Sequence, residues 1–119
     1  MPDRRNALGA AGETAVAAWY EAAGYAVLDR NWRCRTGEID LVLGRERTIV
    51  FCEVKTRRSD AFGTPAEAVT PQKQRRLRGL AVAWLADRGV RGELRFDVAS
   101  VRPAGGSGGL AVEVLEAVF

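Results

Sequence analysis

Two short apolar stretches with acids embedded in them constrain this chain most. Glu38–Leu43 and Thr48–Thr56 are separated by Gly44-Arg45-Glu46-Arg47, a turn. Their alternation reads as two adjacent antiparallel strands. Ile39, Leu41 and Leu43 share one side with Val50, Cys52 and Val54, a wholly apolar face suited to a core. The other side carries Glu38, Asp40 and Val42 against Ile49, Phe51, Glu53 and Lys55. With the four turn residues unpaired, Leu43 meets Thr48 and Asp40 meets Phe51, which makes Asp40 and Glu53 diagonal neighbours. A slip of one residue would send them to opposite faces. Carboxylates brought this close repel unless a cation holds them. The pattern therefore points to a divalent metal site with an ammonium group beside it.

Lys55 is informative because lysine is scarce. Of 18 basic residues, only Lys55 and Lys73 are lysine. A lysine is a compact donor whose proton can be lost, unlike that of arginine. Histidine is absent, which excludes Ser-His-Asp and Cys-His nucleophiles, HExxH zinc proteases and histidine general bases. Hydrolysis by this chain must run on carboxylates, lysine and water activated by a metal. Cys34 and Cys52 have no CxxC spacing, so a zinc site is not expected. Cys52 reads as a small buried hydrophobe and both thiols as free.

The 119 residues, 47% apolar and 28% charged, fit one globular domain spanning 1–119. No apolar run approaches a membrane span, and the polar start from Met1 to Asn6 does not resemble a signal peptide, so a cytoplasmic protein is expected. Charge is uneven. Arg30 to Arg78 holds 12 basic and 6 acidic residues, whereas the rest holds 6 and 9. A basic middle suits an anionic partner, most simply nucleic acid, and equally an ordinary solvated surface.

The remaining elements follow from pattern. Residues 8–23 read as a helix with Leu8, Ala11, Ala15, Ala18, Trp19 and Ala22 on its core stripe, Glu13 on the flank bordered by Val16 and Tyr20, and Gly24 as its stop. Tyr25–Trp32 is a first strand, completing an antiparallel meander with the two above. Arg57 to Thr64 is a polar loop, and Pro65 to Val69 a short turn or helical piece. Thr70-Pro71 starts a second helix, running to about Arg88 over Leu77, Leu80, Ala81, Trp84 and Leu85. Strands follow at Glu93–Val101 and Leu110–Val118, joined across a Gly/Ser-rich loop.

Magnesium keeps several waters and needs only one or two protein carboxylates, which Asp40 and Glu53 provide. The Val54 carbonyl offers another oxygen, and Glu13 one from the first helix. Lys55 would orient water or stabilise developing charge. The chemistry expected is metal-assisted phosphodiester hydrolysis. Arg57, Arg58, Lys73, Arg75, Arg76 and Arg78 are positioned to hold phosphates, or merely to solubilise the surface. Each acid also has a plainer reading. Glu13 and Glu38 suit exposed surface positions, Asp97 suits an ion pair with Arg95, and Asp40, Glu53 and Lys55 suit a salt-bridge network, at a desolvation penalty. Trp19 and Trp84 read as packing.

The order helix-Glu13, Asp40, Glu53-x-Lys55 resembles the PD-(D/E)xK nuclease superfamily, which includes restriction endonucleases and archaeal Holliday junction resolvases. More closely, the chain is similar to the uncharacterised bacterial YraN-like family of predicted endonucleases. The matching segments are Gly9–Glu13, Gly24-Tyr25, Arg30–Arg33, Gly37–Val42, Phe51–Arg57, Phe62-Gly63, Gln72–Leu85 and Arg95–Val98. The resemblance implies an α/β, restriction-endonuclease-like fold with an αβββαβ core: a mixed central sheet of about five strands flanked by helices. It places Glu13, Asp40, Glu53 and Lys55 at catalytic positions, with Gln72 as a weaker carry-over. It implies Mg²⁺ or Mn²⁺ as cofactor, DNA as substrate, branched or otherwise structured, and a homodimer, although no dimer seam is visible. A non-catalytic nucleic-acid-binding module that kept the fold, and an interaction protein with an acidic partner, remain the competing readings.

Overall fold

In the computed structural model, residues 4–57, 69–106 and 108–119 are described. The element order is α1 (Arg4–Ala22), β1 (Ala26–Cys34), β2 (Gly37–Arg45), β3 (Thr48–Thr56), α2 (Pro71–Arg88), β4 (Glu93–Pro103) and β5 (Leu110–Leu115). The five strands form one mixed sheet in chain order, β1-β2-β3-β4-β5. β1, β2 and β3 make the expected antiparallel meander. β3 and β4 run parallel, so α2 is the crossover between them, and β4 and β5 form an antiparallel hairpin. The α/β class with an αβββαβ core is thus the observed one. Among the described residues, no helix is long and apolar enough to cross a membrane.

The helices cover opposite faces of the sheet. Val16, Ala17 and Tyr20 of α1 pack on Leu41, Leu43, Val50, Cys52, Ala99 and Val101. Leu77, Leu80, Ala81 and Trp84 of α2 pack on Ile39, Val42, Ile49, Phe51 and Phe96. β3 lies between both layers, which is why Ile49-Val50-Phe51-Cys52 is apolar without a break. Full burial of each larger side chain contributes about 1.5–3 kcal/mol. Phe51 meets Trp84 edge-on, with centroids 5.7 Å apart, and stacks on Phe96.

Local signals end the helices as anticipated. The Thr70 hydroxyl accepts from Lys73 N at 3.2 Å ahead of Pro71, and Gly89 closes α2 at φ 65°. α1 ends in a Schellman arrangement: Gly24, at φ 91°, donates to Glu21 O, and Tyr25 N donates to Tyr20 O.

Four expectations are corrected. The buried stripe of α1 is Gly12, Val16, Ala17 and Tyr20, whereas Ala11, Ala18, Trp19 and Ala22 are exposed. Polar atoms on Tyr20 and Glu13 made that face look solvent-directed, and their partners lie far along the chain. The β2–β3 hairpin is tighter than expected. Only Glu46 and Arg47 turn it, with Glu46 at φ 55°, and Leu43 meets Val50. The shift relative to expectation is two residues, so the faces survive. Ile39 joins Val42 on the α2 side instead of Leu41 on the α1 side, because the alternation of β2 breaks at Asp40. Finally, β5 stops at Leu115, and the chain continues beside β4 through an irregular step at Ala117, φ 51°. Ala117 N donates to Asp97 Oδ1 at 3.0 Å and Val118 N to Phe96 O at 2.9 Å. The segment 58–68, including Arg58, Phe62-Gly63 and the start of the expected piece at Pro65, lies outside the described residues.

Gly12 of α1 packs against Thr56 of β3. A Cβ placed there would sit 2.1 Å from Thr56 Oγ1 and 3.2–3.3 Å from the other two carbons of that side chain. Gly12→Ala is therefore expected to destabilise the protein by about 1–3 kcal/mol through overpacking. Adding Thr56→Ala should restore most of the loss in urea melts. Additive losses in the double variant would show that the contact is not the cause.

Candidate functional site

The site forms where the β2–β3 ladder ends. The last paired residues are Leu41 and Cys52, and one step further the register sets Asp40 against Glu53. There, Asp40 Oδ2 takes the Val54 N–H at 2.8 Å. A side chain has replaced the strand's own carbonyl as acceptor, so the two backbones part at this point. In an extended strand, the N–H and C=O of one residue project to the same side, which directs the Val54 carbonyl at the same gap. Asp40 and Glu53 thus lie one step past the last paired residues, and both border a single cavity.

A cavity of about 380 Å³ opens here, lined by Gly37, Glu38, Asp40, Glu53, Val54 and Lys55 of the strands with Cys52 beneath and Arg76 and Leu77 of α2 beside them. Lys55 Nζ lies 3.2 Å from Glu53 Oε1, and Glu53 Oε2 is buried with no hydrogen-bond partner among the described residues. An orphaned carboxylate oxygen next to a second acid is costly unless something positive meets it. The Asp40 carboxyl is pushed up to about 6, foremost by burial. The Val54 N–H opposes this, while Glu13, Glu53 and Glu38 add to the rise. Asp40 thus feels three other carboxylates, and Lys55 is paired with one of them, Glu53.

Glu13, on the buried face of α1, does not line the cavity, but its charge adds to the rise at Asp40. Its Oε1 accepts from Asn31 Nδ2 at 3.0 Å and lies 3.7 Å from Arg30 Nε. Arg30 Nη2 also donates to Ala10 O at 2.8 Å. Among the described residues, no three His, Cys, Asp or Glu side chains converge as a ready-made metal cage. Glu13 Oε1 is turned to Asn31 and Glu53 Oε1 to Lys55. The donor set nevertheless fits a hard cation with water ligands. It offers all-oxygen ligands, a two-carboxylate core and an orphaned buried oxygen.

The other expected residues divide. Glu38 pairs with Arg33 at 3.0 Å, a surface role. Gln72 is exposed at the start of α2 and does not line the cavity. Of the basic residues anticipated on α2, Arg76 borders the cavity, Arg75 and Lys73 do not line it, and Arg78 places its guanidinium over Phe96 and Phe119. Arg57 donates its N–H to Val101 O. Cys52 is buried and its thiol is pushed up by that burial, so it is a core residue. Trp84 is core as well, with its indole N–H on Asp29 at 3.0 Å, whereas Trp19 is exposed. Asp97 does pair with Arg95. Asn31 and Arg30 were not anticipated at the site. Asn31 stands in β1 at φ 55°, and nothing local in the sequence announces that. A larger hollow of about 630 Å³ near Leu85, Val90 and Leu94 contains no acid.

Asp40 gives the site a measurable electrostatic signature. A carboxyl raised from 3.8 to about 6 contributes stability at pH values below 4, and that contribution is lost as pH rises through 6. Two units correspond to about 3 kcal/mol at most. Asp40→Asn keeps an acceptor for Val54 N–H and carries no charge. In EDTA it should be more stable than the parent at pH 7.5, by about 1–3 kcal/mol, and nearly equal to it at pH 4. Parallel urea curves for the two proteins over this range would contradict the account.

A model of the uncharacterised protein family UPF0102 matches residues 12–101. That span begins one residue before Glu13 and includes all four acids and Lys55. The UPF0102 protein of Nocardia farcinica is 48% identical over 116 residues, covering 97% of this chain and 91% of the relative. The UPF0102 protein of a Nocardioides species is 53% identical over 105 residues (87% and 85%), and that of Beutenbergia cavernae 52% over 98 residues (82% and 83%).

Proposed function

We propose that this chain, which belongs to the uncharacterised protein family UPF0102, is a divalent-metal-dependent endonuclease of the PD-(D/E)xK type that hydrolyses phosphodiester bonds in DNA. One observation supports the reading: Asp40 and Glu53 border one cavity where the β2–β3 ladder ends, with Glu53 Oε2 buried and, among the described residues, without a hydrogen-bond partner, and Lys55 beside it.

Asp40, Glu53 and the Val54 carbonyl would hold Mg²⁺ or Mn²⁺, with Glu13 joining from α1. Such a cation, when bound, supplies charge neutralisation at a phosphoryl oxygen and a more acidic water. The chain's own groups do the rest. Lys55 has three N–H donors and spends one on Glu53, which leaves two for a phosphoryl oxygen or the attacking water. Arg76, on the α2 wall, offers a planar guanidinium to an adjacent phosphate. The basic first half of α2, with Lys73 and Arg75, extends the same charge along the strand of DNA.

The test is a cleavage assay on single-stranded, duplex, flap and four-way DNA with Mg²⁺, Mn²⁺ or EDTA. Metal-dependent cutting of at least one substrate is expected, and the likeness to junction resolvases makes branched DNA the first to try. Salt-dependent binding without cutting would favour a non-catalytic nucleic-acid-binding module.

A further inference from the structure

We propose that Asn31 is a positioning residue for Glu13, fixing one oxygen of that carboxylate so that the other is left for the cation. This rests on the metal-site reading above and adds a residue to it.

The first observation is the backbone. Asn31 lies inside β1 at φ 55°, in the left-handed region. Among residues other than glycine, asparagine and aspartate adopt it most readily. The second is side-chain direction. Successive residues of a regular strand point to opposite faces, yet Arg30 and Asn31 both reach α1. Arg30 touches Ala10 and Glu13, and Asn31 touches Glu13. The left-handed step is what turns Asn31 to the same side as its neighbour.

The third observation is location. Arg30 pairs with Leu41 and Trp32 with Ile39, so the register sets Asn31 opposite Asp40. The alternation of β2 also breaks there, with Ile39 and Val42 on one face. The irregularity in β1 thus sits beside the acid that anchors the site. The fourth is atom choice. Asn31 Nδ2 and Arg30 Nε meet the same Glu13 oxygen, Oε1, at 3.0 and 3.7 Å. A carboxylate has two oxygens, and among the described residues no hydrogen bond or ion pair falls on Oε2. An amide is suited to this task. It donates a hydrogen bond without adding charge to that of the Arg30 guanidinium already beside the same oxygen.

An ordinary helix–strand contact would place the same hydrogen bond there, and metal affinity separates the two. The test measures Mn²⁺ binding alone, by electron paramagnetic resonance, on the whole chain. Four proteins are compared: the parent, Asn31→Gly, Glu13→Gln and the double variant. Glycine accepts φ 55°, so Asn31→Gly removes the amide without straining the backbone. Circular dichroism and melting in EDTA confirm that each is folded. Asn31→Gly is expected to weaken Mn²⁺ binding about tenfold, as partners behind a metal ligand typically do. Glu13→Gln should weaken it by at least as much. The double variant should be no worse than Glu13→Gln, because the amide acts only through that carboxylate.

Mn²⁺ affinity within twofold of the parent in Asn31→Gly, with a loss in Glu13→Gln, overturns the assignment and leaves the metal site standing. Additive losses in the double variant overturn it too, since a general structural lesion would add. An unchanged Glu13→Gln overturns it as well, because Glu13 is then no ligand. Failure of the parent to bind Mn²⁺ at all overturns both this inference and the reading on which it rests.

Discussion

Replacing Lys55 by alanine should lower the rate of DNA cleavage by about 100-fold or more while leaving Mn²⁺ binding intact or tighter. The magnitude is that of removing one donor aimed at charge that develops in a transition state. The split between catalysis and binding follows from geometry. Lys55 Nζ lies 3.2 Å from Glu53 Oε1, so in the free protein the ammonium occupies part of the charge that a cation would use. Without it, Glu53 presents both oxygens. Asp40→Asn should do the reverse and weaken Mn²⁺ binding together with activity, because it removes charge from the carboxylate opposite Glu53. The pair of variants thus separates a group that acts on the substrate from one that holds the ion. Cleavage by Lys55→Ala within threefold of the parent would remove Lys55 from the chemistry. Cleavage equal in all three preparations would mark a contaminating nuclease.

The largest effect on stability is expected at a residue outside the site. Asp97 is 1% exposed and every oxygen of its carboxylate is used. Oδ2 accepts from Tyr20 OH at 2.6 Å and Arg95 Nη2 at 2.9 Å, while Oδ1 accepts from Arg95 Nε and Ala117 N, each at 3.0 Å. The bidentate geometry holds the Arg95 guanidinium protonated more firmly than usual. Asp97→Ala would strand a partly buried guanidinium, a buried hydroxyl and a backbone N–H at once. Losses of about 3–5 kcal/mol are typical when one partner of such a pair is removed, a large share of the whole stability of a domain this size. Tyr20→Phe loses only the hydroxyl and should cost about 1.5–3 kcal/mol. Urea unfolding at pH 7 measures both. A loss below 1 kcal/mol for Asp97→Ala would mean the network is relaxed in solution. The effect reaches the site indirectly. Tyr20 lies two turns from Glu13 on the buried face of α1, so the Asp97 network helps hold the helix that presents Glu13.

The order of elements, the meander, both helix stops of α2 and the burial of Cys52 and Trp84 were all readable from the chain. Their causes are local: alternation, a Thr-Pro start, a glycine at φ 65°. The central pair of acids was readable too, since any register that kept both strands amphipathic put Asp40 and Glu53 on one side. The error of two residues in the hairpin preserved that parity. Gln72 was placed by resemblance and not by chemistry, and it stands outside the cavity lining.

The misread face of α1 has a different origin. A stripe of alanines with Leu8 and Trp19 looked more apolar than one carrying Glu13 and Tyr20. Hydrophobicity along one helix cannot register that Tyr20 will find Asp97, 77 residues away, or that Glu13 will find Asn31, 18 residues away. Periodicity and turn chemistry were therefore enough to set the strands, the helices and the two central acids, because those depend on neighbours a few positions apart. Which side of α1 is buried, how the strands part at Asp40, and which atom holds Glu13 were decided by the tertiary structure. Each depends on a polar group gaining a partner that only the folded chain brings within 3 Å or so of it.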